Sequence, residues 1–257
     1  MSSLSIQRIS VPCVAGAPGT ACKNIVSALL RSCGDLQIVE VASDTTSSYD
    51  VYLSWRGDPD WRIRVFNSSG SNTLYCYTYF ATTNGEYSSY SATSCSLGLG
   101  LTGYEAALEI VQAGSDMLIV GVYASYSETT KCGFCCLRVL DQFTAEEKNI
   151  YAGLVTDNAY FSFASFSVNS AENGGRVGVT ATNGITGFTP NSLTVAVPVV
   201  FYTTSALLPL SGFVGTDLLY YIYQGAQRLN YPSRYTRFTI DGHEFVSLGN
   251  QLCARVS

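Results

Sequence analysis

The chain has 257 residues, a net charge of −5, only 13% charged residues and a single histidine, His243. So few cations on an acidic chain speak against phosphate-backbone binding, which needs clustered Lys and Arg to release counterions. One histidine leaves little material for acid–base or metal chemistry, while 18 tyrosines and 23 glycines predict a surface solvated by uncharged polar groups and suited to packing against neighbours.

Taken in chain order, Met1 to Pro12 has one basic residue, Arg8, and no long apolar run, so no secretion signal is expected there. Synthesis in a cytoplasm is expected, and with it nine cysteines that act mostly as reduced, buried, small apolar residues. Cys22 to Arg31 has helical periodicity. Strands are expected at Leu36–Val41, Val51–Arg56, Trp61–Phe66, Thr73–Phe80, Ala107–Gln112, Met117–Tyr123 and Phe134–Leu140, from period-two alternation and β-branched or aromatic enrichment. In Trp61-Arg62-Ile63-Arg64-Val65 the apolar residues take one face and the arginines the other, as in a half-buried antiparallel strand.

After Phe143, Thr144 and Glu147 fit a capping box, which predicts a short helix over Thr144 to Ile150. It is taken as the boundary between an N-terminal mainly-β region, 1–143, and a C-terminal one, 144–257. Strands resume at Ala159–Val168, Val177–Ala181, Leu193–Tyr202, Leu218–Tyr223, Arg237–Ile240, Glu244–Leu248 and Gln251–Val256. Asn84-Gly85, Gly114-Ser115, Asn173-Gly174, Asn183-Gly184 and Asp241-Gly242 supply hairpin turn chemistry. The apolar stretch from Leu193 to Leu210 is broken by Pro198, Pro209 and the polar residues Thr203 to Ser205, so it reads as buried strand rather than membrane span. The expected fold is mainly β, with antiparallel β-sandwich-type domains and one or two short helices.

Candidate chemistry is sparse. Cys132-x-x-Cys135-Cys136 lacks the second pair that a zinc site needs, and alternate cysteines on a strand point to opposite faces. His243 lies beside a turn with no nucleophile context, so a hydrolase on a β scaffold has little to support it. Arg56-Gly57-Asp58-Pro59-Asp60-Trp61 invites an adhesion-tripeptide or calcium reading. Two carboxylates only begin a calcium shell, and a charged turn is expected. Glu105 with Glu109, or Asp241 with Glu244, are the carboxylate pairs available for glycoside hydrolysis. Asn67-Ser68-Ser69 matches a glycan acceptor pattern in a chain with no visible secretion signal. Tyr75, Tyr77 and Tyr79 line one face of a strand as core, subunit contact or sugar-stacking platform. No catalytic, cofactor-binding or metal-binding residue is assigned, and no cofactor is expected.

The ending Arg237-Phe-Thr-Ile-Asp-Gly-His-Glu-Phe-Val-Ser-Leu-Gly-Asn-Gln-Leu-Cys-Ala-Arg-Val256 resembles the last hairpin and strand of virion structural proteins of tailed bacteriophages. So does the run from Leu208 to Phe213 that leads into a Leu-Tyr-Tyr-Ile-Tyr strand. The resemblance covers about 50 residues, one supersecondary unit. It implies a non-enzymatic tail, neck, fibre or capsid-surface component that forms homo-oligomers and contacts other virion proteins or a host-surface glycan. Such a protein would assemble in the host cytoplasm, with no nucleic-acid partner and no membrane span. The alternative is a carbohydrate-binding β-sandwich module, which would be monomeric and expose an aromatic row beside Asp or Asn.

Overall fold

The structure, a computed structural model, describes residues 4–81, 85–141, 145–157, 162–163, 166–169, 176–182, 194–203, 213–224, 227–228, 235–249 and 252–256. The N-terminal part runs β1 (Leu4–Pro12), helix α1 (Pro18–Ser32), β2 (Leu36–Asp44), β3 (Tyr49–Trp55), β4 (Trp61–Phe66), β5 (Thr73–Ala81), β6 (Tyr87–Ser96), β7 (Glu105–Ala113), β8 (Met117–Ala124) and β9 (Ser127–Asp141). It continues with β10 (Glu147–Asp157), β11 (Ser162–Phe163), β12 (Phe166–Asn169), β13 (Arg176–Thr182), β14 (Thr194–Thr203), β15 (Phe213–Gln224) and β16 (Gln227–Arg228). The last three strands are β17 (Arg237–Ile240), β18 (His243–Gly249) and β19 (Leu252–Arg255).

Among the described residues these strands form a five-stranded sheet, β2-β3-β4-β5-β6, and a fourteen-stranded one containing β1-β7-β8-β9. All described pairings between neighbours are antiparallel, as in the β7–β8 and β8–β9 hairpins. The mainly-β, sandwich-type class read from alternation is therefore the one observed.

The sandwich follows from side-chain alternation. In β4 the pattern is strictly buried then half-buried, with Trp61, Ile63 and Val65 pointing inward. β5 alternates likewise, with Leu74, Cys76, Thr78 and Phe80 inward. This face meets the large sheet: Trp61 stacks on Tyr151 of β10 at 5.4 Å between ring centroids. The Tyr151 hydroxyl bonds to both N–H and C=O of Trp55, each at 3.0 Å. That pairing satisfies a phenol hydroxyl which burial would otherwise leave costly.

Opposite them, every residue of β8 is buried, so its sheet must be covered on both sides. Leu219, Val246, Leu248, Leu252 and Ala254 of the C-terminal strands share one continuous core with β7, β8 and β9. Their other side holds a smaller cluster of Tyr220, Ile222, Ile240, Phe245 and Cys253. Helix α1 starts with Pro18 in its first turn and buries Ala21, Cys22, Ile25, Val26, Ala28 and Leu29, a spacing that fills one helical face. It packs on β1, β2, β3 and β7, and it is the helix expected around Cys22 to Arg31.

The second expected helix is corrected. Glu147 opens strand β10, which pairs with β9 from Glu147↔Leu140 to Asp157↔Thr130. The capping-box spacing is local, whereas Ile150 and Tyr151, neighbours on opposite faces, are both fully buried; pairing with β9 overrides it. Thr144 itself lies outside the described residues, and Ala145 adopts a left-handed φ of 57°. The expected division at 143/144 thus falls between two paired strands. Strands β1 and β6 were not expected, and the Asn173-Gly174 and Asn183-Gly184 turns lie outside the described residues. Of the stretch from Leu193 to Leu210, Thr194–Thr203 is strand β14, and residues 204–210 lie outside the described residues. Among the described residues no helix is long and apolar enough to cross a membrane.

Candidate functional site

The outer face of the five-stranded sheet gathers the residues that the inner face cannot use. Register sets Tyr52 opposite Arg64 and Asp50 opposite Phe66, then Phe66, Arg64 and Arg62 opposite Tyr75, Tyr77 and Tyr79. All except Asp50 are half-buried. Phe66 stacks on Tyr75 at 4.9 Å and meets Tyr77 edge-on at 5.2 Å. Tyr77 and Tyr79 follow at 6.4 Å, and Tyr52 closes on Tyr79 at 6.0 Å. The period-two tyrosines named from the sequence are therefore surface, and they join a continuous aromatic field.

Arg64 stands at its centre. Its guanidinium donates Nε to Asp50 Oδ1 at 2.9 Å and Nη2 to Oδ2 at 2.5 Å, a bidentate fork. The same group lies 4.3 Å over the Phe66 ring and 5.4 Å over Tyr52, close enough for cation–π attraction. The Asp50 hydrogen bonds hold the guanidinium well above its usual pKa. Burial pushes the Tyr52 hydroxyl up, with the Arg64 charge opposing that shift. Arg62 lies 4.0 Å over Tyr87 and 3.5 Å from Glu40, while the Tyr87 hydroxyl donates to the Pro59 carbonyl. Two arginines thus face two carboxylates, and both sets are built into the sheet.

On either side the face changes character. Ala92, Ser94 and Ser96 of β6, beside the tyrosines of β5, are exposed and small, a trough next to the aromatic ridge. At the other edge β2 carries exposed Ile38, Val39 and Val41, each between 43% and 49% accessible. Two register shifts interrupt its pairing with β3, a common way to blunt an edge strand. Sequence reading missed the trough because the Ser-rich stretch from Tyr87 to Ser96 looks like loop. The usable signal was the buried series Thr93, Cys95, Leu97 alternating with it.

The other candidates make contacts within the chain. In the adhesion-like tripeptide, Asp58 Oδ1 accepts from Asp60 N–H at 2.8 Å and Oδ2 from Asn149 Nδ2 at 2.7 Å. Arg56 has a left-handed φ of 57° and donates to the Ser115 carbonyl at 3.2 Å. Both charges hold the turn in place beside an open cleft of about 470 Å³ lined by Asp60, Trp61 and Glu147. Asn67 is 1% exposed and bonds Tyr49 N–H and the Ser47 carbonyl, so its amide is closed to modification in the folded chain.

Eight of the nine cysteines are buried and Cys13 is half-buried. Cys132 reaches between the sheets to Cys76 and Cys95, and its hydrogen bonds to them together with burial raise its thiol pKa. The bond from Cys132 holds Cys95 below its ordinary value. Cys135, on the opposite face of β9, is pushed up by burial alone. Among the described residues no group of three or more His, Cys, Asp or Glu could hold a metal ion.

His243 is exposed at the start of β18, with Nδ1 2.9 Å from Arg255 Nη2. Arginine can only donate, so Nδ1 accepts there. Glu109 is buried, with the Tyr123 hydroxyl 3.0 Å from its Oε1. Glu105 accepts from Ser10, and Glu244 pairs with Arg237. Glu105 and Glu109 lie on one strand, β7, and Asp241 lies in the turn before β18, which carries Glu244. The chain matches no known family model, no curated protein and no solved structure.

Proposed function

We propose that this chain is a non-enzymatic structural protein that works by surface contact, as a homo-oligomeric component of a tailed-bacteriophage virion assembled in the host cytoplasm. The observation that carries the assembly part is the outer face of β3, β4 and β5. Its Tyr, Phe and Arg side chains, with carboxylates present only as ion-pair partners, have the composition that distinguishes the buried centre of protein interfaces. Low overall charge supports the same reading. The virion context comes from the likeness of the C-terminal hairpin and strand. Light scattering and negative-stain imaging of the purified chain test it: rings, trimers or tubes are expected, and a 27.6 kDa monomer that joins no partner would overturn it.

A second reading, carbohydrate binding, is favoured by the half-exposed row Tyr75, Tyr77, Tyr79 beside Asp50. The ring geometry favours it less, since Tyr75 and Tyr77 stand at 87° to one another and offer no flat platform for a sugar. Glycan-array binding lost in Tyr77→Ala would support it.

A further inference from the structure

We infer that the outer face of the five-stranded sheet packs against the same face of a second copy, about a two-fold axis, each aromatic ridge seated in the other copy's small-residue trough. The inference rests on the assembly reading and names its partner and geometry.

Three features select a second copy as occupant. The first is shape. On one face, Tyr75 and Tyr77 project from β5 while their direct register neighbours on β6 are Ser94 and Ala92. A two-fold rotation about an axis between ridge and trough brings each over the other, the self-complementarity that an isologous contact requires. The second is charge. The chain carries −5, so two copies repel in general. On this face, though, Arg62 and Arg64 balance Glu40 and Asp50, so the copies meet on neutral ground. The third is how those charges are held. Arg64 is bidentate to a buried Asp50, so it presents its flat guanidinium and neighbouring rings without an unpaired charge to desolvate. A strongly acidic or basic partner would leave those pairs without a role.

The test is sedimentation velocity of the full chain with Ser94→Arg and Tyr77→Ala, across a concentration series. Ser94 is exposed, so its substitution fills the trough without touching the core, and circular dichroism melting confirms that the fold is kept. The wild type is expected to associate, and each variant to weaken association about tenfold or more. Wild-type multimers that both folded variants leave unchanged would overturn this inference while leaving the assembly reading intact. A wild type that stays monomeric at every concentration would overturn the inference and remove homo-oligomerisation from the assembly reading.

Discussion

Strand β8 is apolar and closed in on all sides, whereas the outer face of β3–β5 is aromatic, charged and partly open. β8 is buried at all eight positions and its neighbour β9 has Gly133 where a Cβ would lie 1.9 Å from the Val120 carbonyl. From the other sheet, Thr93 accepts a hydrogen bond from Gly133 N–H at 3.2 Å. On the outer face of β4 and β5, the residues from Arg62 to Phe66 and from Tyr75 to Tyr79 that point outward are aromatic or charged and only half-buried. Interior strands are specified by what they cannot fit, and this face by what it holds ready in place. The first region closes the core; the second is the surface through which, on the reading proposed above, the folded chain makes contact.

Substitutions that separate the two regions sharpen this contrast. Gly133→Ala drives a methyl into the β8 backbone and is expected to cost about 4 kcal/mol or more, read by urea denaturation; a loss below about 1 kcal/mol would mean that β8 and β9 are not so closely paired at this point. Tyr151→Phe keeps the ring stack on Trp61 but removes both bonds to Trp55. Its expected cost is about 1–3 kcal/mol. On the outer face, Ser94→Arg is expected to change stability by no more than about 0.5 kcal/mol, so a large loss there would show that the trough is core. The smallest effect concerns the thiols. With burial raising Cys13 to about 11 and both Cys33 and Cys253 to about 12, the native chain should resist iodoacetamide at neutral pH and react fully once unfolded. Rapid native labelling of Cys132 would contradict the closed inter-sheet core, and rapid labelling of Cys135 would contradict the cover on the other side of β9.

Most of the interior was legible because its signals are local. Trp61 to Phe66 declares its two faces within six residues, and Asp241-Gly242 takes φ values of 51° and 78°, as a tight hairpin demands. β10 was misread because Thr144 and Glu147 satisfy a helix-start rule, whereas its strand state depends on β9, a partner that local pattern cannot reveal. β6 was missed for a related reason: its strand state depends on pairing with β5, from Thr73↔Ser96 to Ala81↔Tyr87. Of the candidate site, the row Tyr75, Tyr77, Tyr79 was visible and its exposure was not. The Arg64–Asp50 fork joins residues 14 apart and appears only once register is known.

Whether the chain works through the aromatic face, as proposed, is decided by hydroxyl-radical footprinting of its tyrosines, dilute and assembled. Tyr126 is 62% exposed at the β8–β9 turn, away from that face, and serves as the internal reference. Tyr75, Tyr77 and Tyr79 are expected to lose reactivity on assembly while Tyr126 keeps it. Protection of Tyr126 with Tyr77 unchanged would contradict it.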